Sequence, residues 1–199
     1  MDERLIKTQE YFDKAADKWD ENFKSNEEFI NAGIILSGLE ENAKIADIAC
    51  GTGVLFGKLL EKNPSSVYGI DISQNMLDIA RKKYDDERIS LFCGDFMDFE
   101  ETDFDMAFIF RAYPHFEEKE AFAKKLHEVL KKGGRFIILH HESRRRINGR
   151  HEKIEDNLKH DISDKLLPVD KESLYFEKYF NVDIKADTES MYIISGVNK

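Results

Sequence analysis

The sequence predicts an α/β fold, a seven-stranded and mostly parallel sheet with helices on both faces and an antiparallel hairpin at the C-terminal end. Three observations carry this expectation. Short apolar runs alternate with helical patterns five times between residues 45 and 139, the layout of a parallel sheet covered on both faces. The first run, residues 45–49, ends abruptly in Gly51-Thr52-Gly53. Such a strand–turn–helix junction turns backbone N–H groups toward a polar ligand. The alternation stops after His140, and the last two runs, 181–185 and 191–197, are joined by a tight turn around Asp187-Thr188. A connection that short cannot make a right-handed crossover, so at least one of the two strands must be antiparallel.

Size and charge bound the function. A chain of 199 residues is expected to form one domain spanning 1–199 with a sizeable core. Within it, 1–40 reads as N-terminal helices or a lid, 41–140 as the core, 141–170 as an insertion over the strand ends, and 171–199 as a terminal helix and hairpin. A net charge of −10 argues against broad, non-specific binding to nucleic acid or anionic membrane. Cys50 and Cys93 are the two cysteines, too few for a disulfide framework, which points to a reducing cytoplasm. No run reaches the length of a membrane span, and the charged start Met1-Asp2-Glu3-Arg4 does not read as a secretory signal.

Taken in order, residues 4–23 read as an amphipathic helix, with Leu5, Phe12, Ala16, Trp19 and Phe23 at helical spacing. Its apolar stripe docks on the core, or Tyr11, Phe12 and Trp19 cover a ligand mouth. Asn26 is a plausible cap for a second helix carrying Phe29, Ile30, Ile34 and Leu39. After the glycine turn a helical pattern starts at Val54 and ends near Asn63-Pro64. The strand 67–70 ends in Asp71, and Ser73 caps a helix through Met76, Leu77 and Ala80. Strand 89–93 runs into Gly94-Asp95, and strand 104–110 into Arg111-Ala112-Tyr113-Pro114-His115. A helix over 117–130 should stop at Gly133-Gly134, ahead of a fifth strand at 135–139. The insertion has few apolar anchors, among them Ile147, Ile154, Leu158, Leu166 and Leu167, and a short helix over 171–180 precedes the hairpin.

The carboxyl ends of neighbouring strands in such a sheet line one crevice. Three acids fall there: Asp47 inside the first strand, Asp71 at the end of the second and Asp95 just after the third. Each alone reads as a helix cap or a solvated carboxylate. Together with a glycine turn they suit a nucleoside. Asp71 is placed to accept from two vicinal ribose hydroxyls, and Asp95 with Phe96 to address an adenine. Gly51, Gly53 and Gly57 also satisfy a loose dinucleotide pattern. The acidic rim disfavours a pyrophosphate, and Asp47 suits an ammonium better than a phosphate.

The motif 47–53, DIACGTG, resembles the first motif of Rossmann-like S-adenosylmethionine-dependent methyltransferases, and 68–73 with Asn75-Met76-Leu77 resembles their second-strand motif. Residues 93–96 resemble the adenine motif, and 104–108 with 130–136 the fourth and fifth strand units, all in the family's order. The family's terminal hairpin also matches the end of the chain. The departure is Ala49, where the family usually carries its first glycine. The resemblance implies S-adenosylmethionine as cofactor and S-adenosylhomocysteine as product. It implies that the turn formed by Ala49, Cys50, Gly51, Thr52 and Gly53 contacts the methionine portion, and that Asp71 holds the ribose. Ile72 and Met76 would pack on the adenine with Asp95 and Phe96 at its edge, and Phe110-Arg111 would lie near the methionine end.

Methyl transfer is an in-line displacement in which positioning and exclusion of water supply much of the rate. A base is needed only where the acceptor loses a proton. The candidates are His115, His140, His141 and Glu142, although a surface or structural role suits any single histidine. Tyr11, Trp19, Tyr113 and Arg144 are expected near the substrate or in the lid. His140 and His141 are adjacent on a strand end and should point to opposite faces, so they, Glu142 and His151 are not expected to hold a metal. The basic run 143–151 is a solvated helix face or a site for an anionic acceptor. The residues after the fourth strand lack the Asn/Asp-Pro-Pro-Tyr motif of methyltransferases acting on nucleobase amines. The expected partner is therefore a small-molecule methyl acceptor, without membrane and with nucleic acid disfavoured; a homodimer is left open. The alternatives are an RNA- or protein-directed methyltransferase, a non-catalytic S-adenosylmethionine-binding protein and, more distantly, a nicotinamide oxidoreductase.

Overall fold

The computed structural model describes residues 3–22, 27–152 and 162–199. Phe23, the Asn26 cap, Ile154 and Leu158 lie outside the described residues, as does the side chain of His151.

Seven strands form one sheet: β1 (Lys44–Ile48), β2 (Ser66–Asp71), β3 (Ile89–Cys93), β4 (Phe104–Phe110), β5 (Leu130–His140), β6 (Phe180–Asp187) and β7 (Tyr192–Asn198). Their spatial order is β3-β2-β1-β4-β5-β7-β6. The first five are parallel to one another, and β7 runs antiparallel to both β5 and β6. The expected terminal hairpin is therefore present, and its second strand inserts between β5 and β6. The order reverses at β1, which sits between β2 and β4. That is the switch point at which a crevice opens outside the carboxyl ends of the strands.

The helices are α1 (Glu3–Ala15), α2 (Trp19–Asn22), α3 (Glu27–Ser37), α4 (Phe56–Leu60), α5 (Gln74–Lys83), α6 (Lys119–Val129), α7 (Arg144–Glu152), α8 (Val169–Glu172) and α9 (Leu174–Glu177). Alternate strand residues feed two cores, as the period of two requires. Ala46, Ile48, Ala107, Ile109 and Ile138 pack with Phe122, Leu126 and Phe176 of α6 and α9. Ile45, Phe108, Ile137 and Leu139 pack with Ile30, Ile34, Phe56, Leu59, Leu77 and Ala80 of α3, α4 and α5.

Several boundaries differ from the sequence reading. The N-terminal segment is not one helix: a 3₁₀ turn at Ala16–Lys18 separates α1 from α2 and brings Trp19 back to within 5.5 Å of the Phe12 ring. The helix expected from Val54 starts at Phe56, because the left-handed Gly53 at φ +75 and its bond to the Cys50 carbonyl (3.0 Å) prolong the turn. Gly133-Gly134 does not end a helix. The helix stops at Val129, and β5 begins at Leu130, which pairs with Phe104 across a register shift. The segment expected as one helix at 171–180 is the two short helices α8 and α9.

Candidate active site

The turn after β1 is built from left-handed residues. Ala49, Gly51 and Gly53 have φ of +56, +55 and +75. Gly53 has no alternative, since a Cβ there would lie 2.6 Å from Cδ2 of Phe56. Ala49 adopts without a glycine the conformation that glycine adopts freely. The fold therefore imposes this conformation on Ala49.

Asp71 is the hub. The Gly51 N–H donates to its Oδ2 at 2.7 Å and the Ser73 N–H to its Oδ1 at 2.9 Å. Ser73 caps α5 by accepting from the Met76 N–H at 3.1 Å. Burial raises the Asp71 carboxyl from 3.8 to about 6 against the opposing N–H groups of Ser73 and Gly51, with Asp13 adding to the rise. Asp47 is 1% exposed. Burial, and the charge of Asp71, push its carboxyl well above the ordinary range. Among the described residues its Oδ2 is buried with no hydrogen-bond partner. A buried acceptor of this kind lacks a donor or a cation. Burial likewise pushes the Cys50 thiol up, with Asp71 and Asp47 contributing. Two buried carboxylates make this a poor place for phosphates and a fitting one for hydroxyls and an ammonium.

These groups face a cavity of about 290 Å³ over the strand ends. Its floor is Asp47, Ala49, Cys50 and Gly51. One wall is Asp71, Ile72, Met76, Asp95 and Phe96; the opposite wall is Phe110, Arg111, His115, His140, His141 and Glu142. The N-terminal segment crosses the mouth with Leu5, Thr8, Tyr11, Phe12, Trp19 and Asp20. Asp95 also has the plain role of a cap, accepting from the Met97 N–H at 3.0 Å. Phe96 is 3% exposed and belongs to the core as well as to the wall. His140 meets the ring of Tyr192 on β7 at 6.3 Å, whereas His141 stacks near Phe110 at 6.2 Å. Among the described residues no group of three or more His, Cys, Asp or Glu side chains could hold a metal.

Four residues singled out in the sequence do not line the cavity. Thr52 turns away, its Oγ1 donating to Asp20 at 2.6 Å, and Gly53 packs behind it against Phe56. Tyr113 is wholly buried in the core, its hydroxyl donating to Glu172 at 2.9 Å. Arg144 pairs with Asp187 of the hairpin at 2.8 Å.

The sequence reading missed the polar side of the N-terminal segment. Asp13 accepts from Ser73 Oγ at 2.6 Å and from the Asn75 N–H at 3.2 Å. Asp20 accepts from Thr52 and from Lys83 Nζ at 2.9 Å. The two acids are seven residues apart, a spacing of about two helical turns. That was the available signal, masked by the apolar stripe. Ile162 and Ser163 also line the cavity, and nothing in their local sequence marked them.

Comparison with known proteins agrees with this fold. A family model described as a methyltransferase domain matches residues 46–138. A malonyl-[acyl-carrier protein] O-methyltransferase of Priestia megaterium is 33% identical over 96 residues, covering 47% of this chain and 35% of that one. A demethylmenaquinone methyltransferase of Chlorobaculum tepidum is 35% identical over 100 residues, covering 50% and 41%. The chain thus spans well under half the length of these curated relatives. A chain of the complex between the Haloferax volcanii Trm112 methyltransferase activator and a methyltransferase superposes with a TM-score of 0.78 at 20% identity, covering 96% of this chain and 97% of that one. At that identity the superposition shows the fold. The matched core and the whole-chain architecture lead to one conclusion: residues 46–138 match a methyltransferase domain, and the chain has the fold of Rossmann-like methyltransferases.

Proposed function

We propose that the protein transfers a methyl group from S-adenosylmethionine to a small-molecule acceptor enclosed in the cavity over β1 and β4. The observation that carries this reading is the juxtaposition of the Asp47–Asp71–Gly51 cradle with a wall of aromatic and imidazole side chains in one covered cavity. When bound, S-adenosylmethionine supplies an electrophilic methyl group on a sulfonium.

The chain's own residues do the rest. Asp71, already held by two backbone N–H groups, accepts from the ribose hydroxyls. Asp47 gives its unsatisfied oxygen a cationic partner in the ammonium of the methionine portion. Ile72, Met76 and Phe96 flank the adenine with Asp95 at its edge, and the Ala49–Cys50–Gly51 backbone with Phe110-Arg111 borders the methionine end. Phe12 and Trp19 over the mouth exclude water, which strengthens these polar contacts and protects the alignment of donor and acceptor.

A small acceptor is favoured by the volume of the cavity, about 290 Å³, and by the fate of the basic run. Arg144 is engaged by Asp187 and Arg145 lies 3.7 Å from Glu189, so these two guanidinium groups face the hairpin's own acids. The relatives' names also point to metabolite acceptors: demethylmenaquinone, sterols and a malonyl group on a carrier protein. Release of S-adenosylhomocysteine, followed against thiols, amines, phenols and carboxylates, tests the reading. Turnover with one of these acceptors is expected. Salt-sensitive turnover only on RNA or protein, lost on charge reversal of Arg144, Arg145 and Arg146, would replace it with a macromolecular acceptor.

A further inference from the structure

We infer that Asp13 and Asp20 are positioning residues that couple the N-terminal segment to the cofactor site, so that the hold of this segment sets how long S-adenosylhomocysteine stays bound; the inference rests on the methyltransferase reading above. Asp71 is held by two N–H groups, one from Gly51 and one from Ser73. The N-terminal segment fastens beside both. Asp13 of α1 accepts from Ser73 Oγ at 2.6 Å and from the Asn75 N–H at 3.2 Å, and its own carbonyl accepts from the Asn75 side-chain amide at 3.1 Å. Asp20 of α2 accepts at 2.6 Å from Oγ1 of Thr52, the residue after Gly51. Lys83 completes this second clasp, its Nζ donating to Asp20 at 2.9 Å and to Thr52 Oγ1 at 3.2 Å. Against the burial that would raise it, the Thr52 and Lys83 bonds hold the Asp20 carboxyl below its ordinary range.

Ser73 is the point of coupling. It is fully buried. Its N–H goes to Asp71, its hydroxyl proton to Asp13, and its Oγ accepts from the Met76 N–H. A displacement of α1 therefore reaches the Asp71 carboxylate through a single residue. Thr52 gives Asp20 the same access to the glycine turn.

With these clasps made, the segment lies across the cavity mouth. Trp19 rests on the glycine turn, its Nε1 3.7 Å from where a Cβ on Gly51 would stand. The Phe12 ring meets the Trp19 indole edge-on at 5.5 Å and the His115 imidazole edge-on at 5.1 Å. This row of rings spans the mouth from the turn after β1 to the turn after β4. Arg4 ties the other end of α1, 3.0 Å from Asp164 and 3.3 Å from Glu117. The Asp20–Lys83 and Arg4–Asp164 pairs are partly exposed, and such pairs are individually weak. Separate weak clasps suit a segment that parts each time product leaves. Linkage makes the coupling reciprocal: a ligand retained by the fastened segment also keeps it fastened.

The test is the rate at which the full chain releases radiolabelled S-adenosylhomocysteine into an excess of unlabelled ligand. Asp13→Ala with Asp20→Ala removes both acceptors, and release should be about tenfold faster or more, as expected for the loss of charge-assisted hydrogen bonds. Asp13→Asn with Asp20→Asn keeps an acceptor oxygen at each clasp and should recover most of the wild-type residence time. A folded alanine variant that releases ligand at the wild-type rate overturns the inference, as does equal acceleration in the alanine and asparagine variants. If the alanine variant does not fold, wild type alone decides. Acrylamide quenching of Trp19, the chain's one tryptophan, should fall on saturation with S-adenosylhomocysteine, and equal quenching with and without ligand overturns the coupling. A folded wild type that binds no S-adenosylhomocysteine overturns the methyltransferase reading and the inference with it. Binding in wild type with unaltered release from the alanine variant overturns the inference alone.

Discussion

Ala49 was legible in the sequence as a departure from the glycine pattern, but its consequence was not, because backbone torsion is not written in residue identity. At φ +56 an L-residue pays a steric penalty that glycine does not. Ala49→Gly is therefore expected to stabilise the protein by about 1 kcal/mol, partly offset by the extra entropy of a glycine in the unfolded chain. Urea denaturation of the two proteins measures it. Gly53→Ala should act in the opposite sense, because φ is +75 and the new Cβ would lie 2.6 Å from Phe56. A loss of about 2 kcal/mol is expected in the same assay.

Asp71 gives a pH signature at the same scale. Its folded carboxyl, at about 6, lies above the ordinary 3.8, so between these values the native state binds more protons than the unfolded one. Its contribution to stability is most favourable at low pH and is lost as pH rises through about 6. The stability of wild type relative to Asp71→Asn should accordingly improve as pH falls from 7 toward 4, as read by denaturation midpoints. Cofactor affinity should move the other way, weakening below about pH 6 as the carboxylate proposed to accept from the ribose hydroxyls becomes protonated.

Among the elements, the N-terminal segment was legible as an amphipathic helix with its aromatic stripe, and the structure lays that stripe over the cavity. How it is held was hidden. Asp13 and Asp20 reach across to Ser73, Asn75, Thr52 and Lys83, groups 32–63 positions away that no local pattern connects to them. Asp13→Ala with Asp20→Ala should leave the sheet intact while exposing the backbone of α1 and α2. Faster amide exchange confined to residues 3–22 is the expected result, with protection restored in part by S-adenosylhomocysteine. The misplaced boundaries have the same origin. Leu130 continues into a strand because Phe104 pairs with it, and a two-glycine stop signal yields to that non-local partner.

At the scale of the whole molecule, most of the architecture could be read in advance. Five strand–helix alternations fixed a parallel sheet, and an impossible crossover fixed an antiparallel end. Those two facts also place the acids of β1 and β2 at one edge. The sequence could not indicate that β7 inserts between β5 and β6, nor that Ile162 and Ser163 return to the cavity, since both depend on long-range closure. Tyr113 and Arg144 illustrate the complementary failure. Both had the chemistry of a binding site, yet Glu172 and Asp187 supply partners that draw them elsewhere.

The central claim is that the crevice at the β1 switch point is an S-adenosylmethionine site built on Asp71. Calorimetric titration of S-adenosylhomocysteine into wild type and Asp71→Ala tests it most directly, with thermal melts confirming that both chains are folded. Saturable one-to-one heat in wild type, abolished in the folded Asp71→Ala variant, is the predicted result. A folded wild type that evolves no heat, or an Asp71→Ala variant that binds as tightly as wild type, would contradict it.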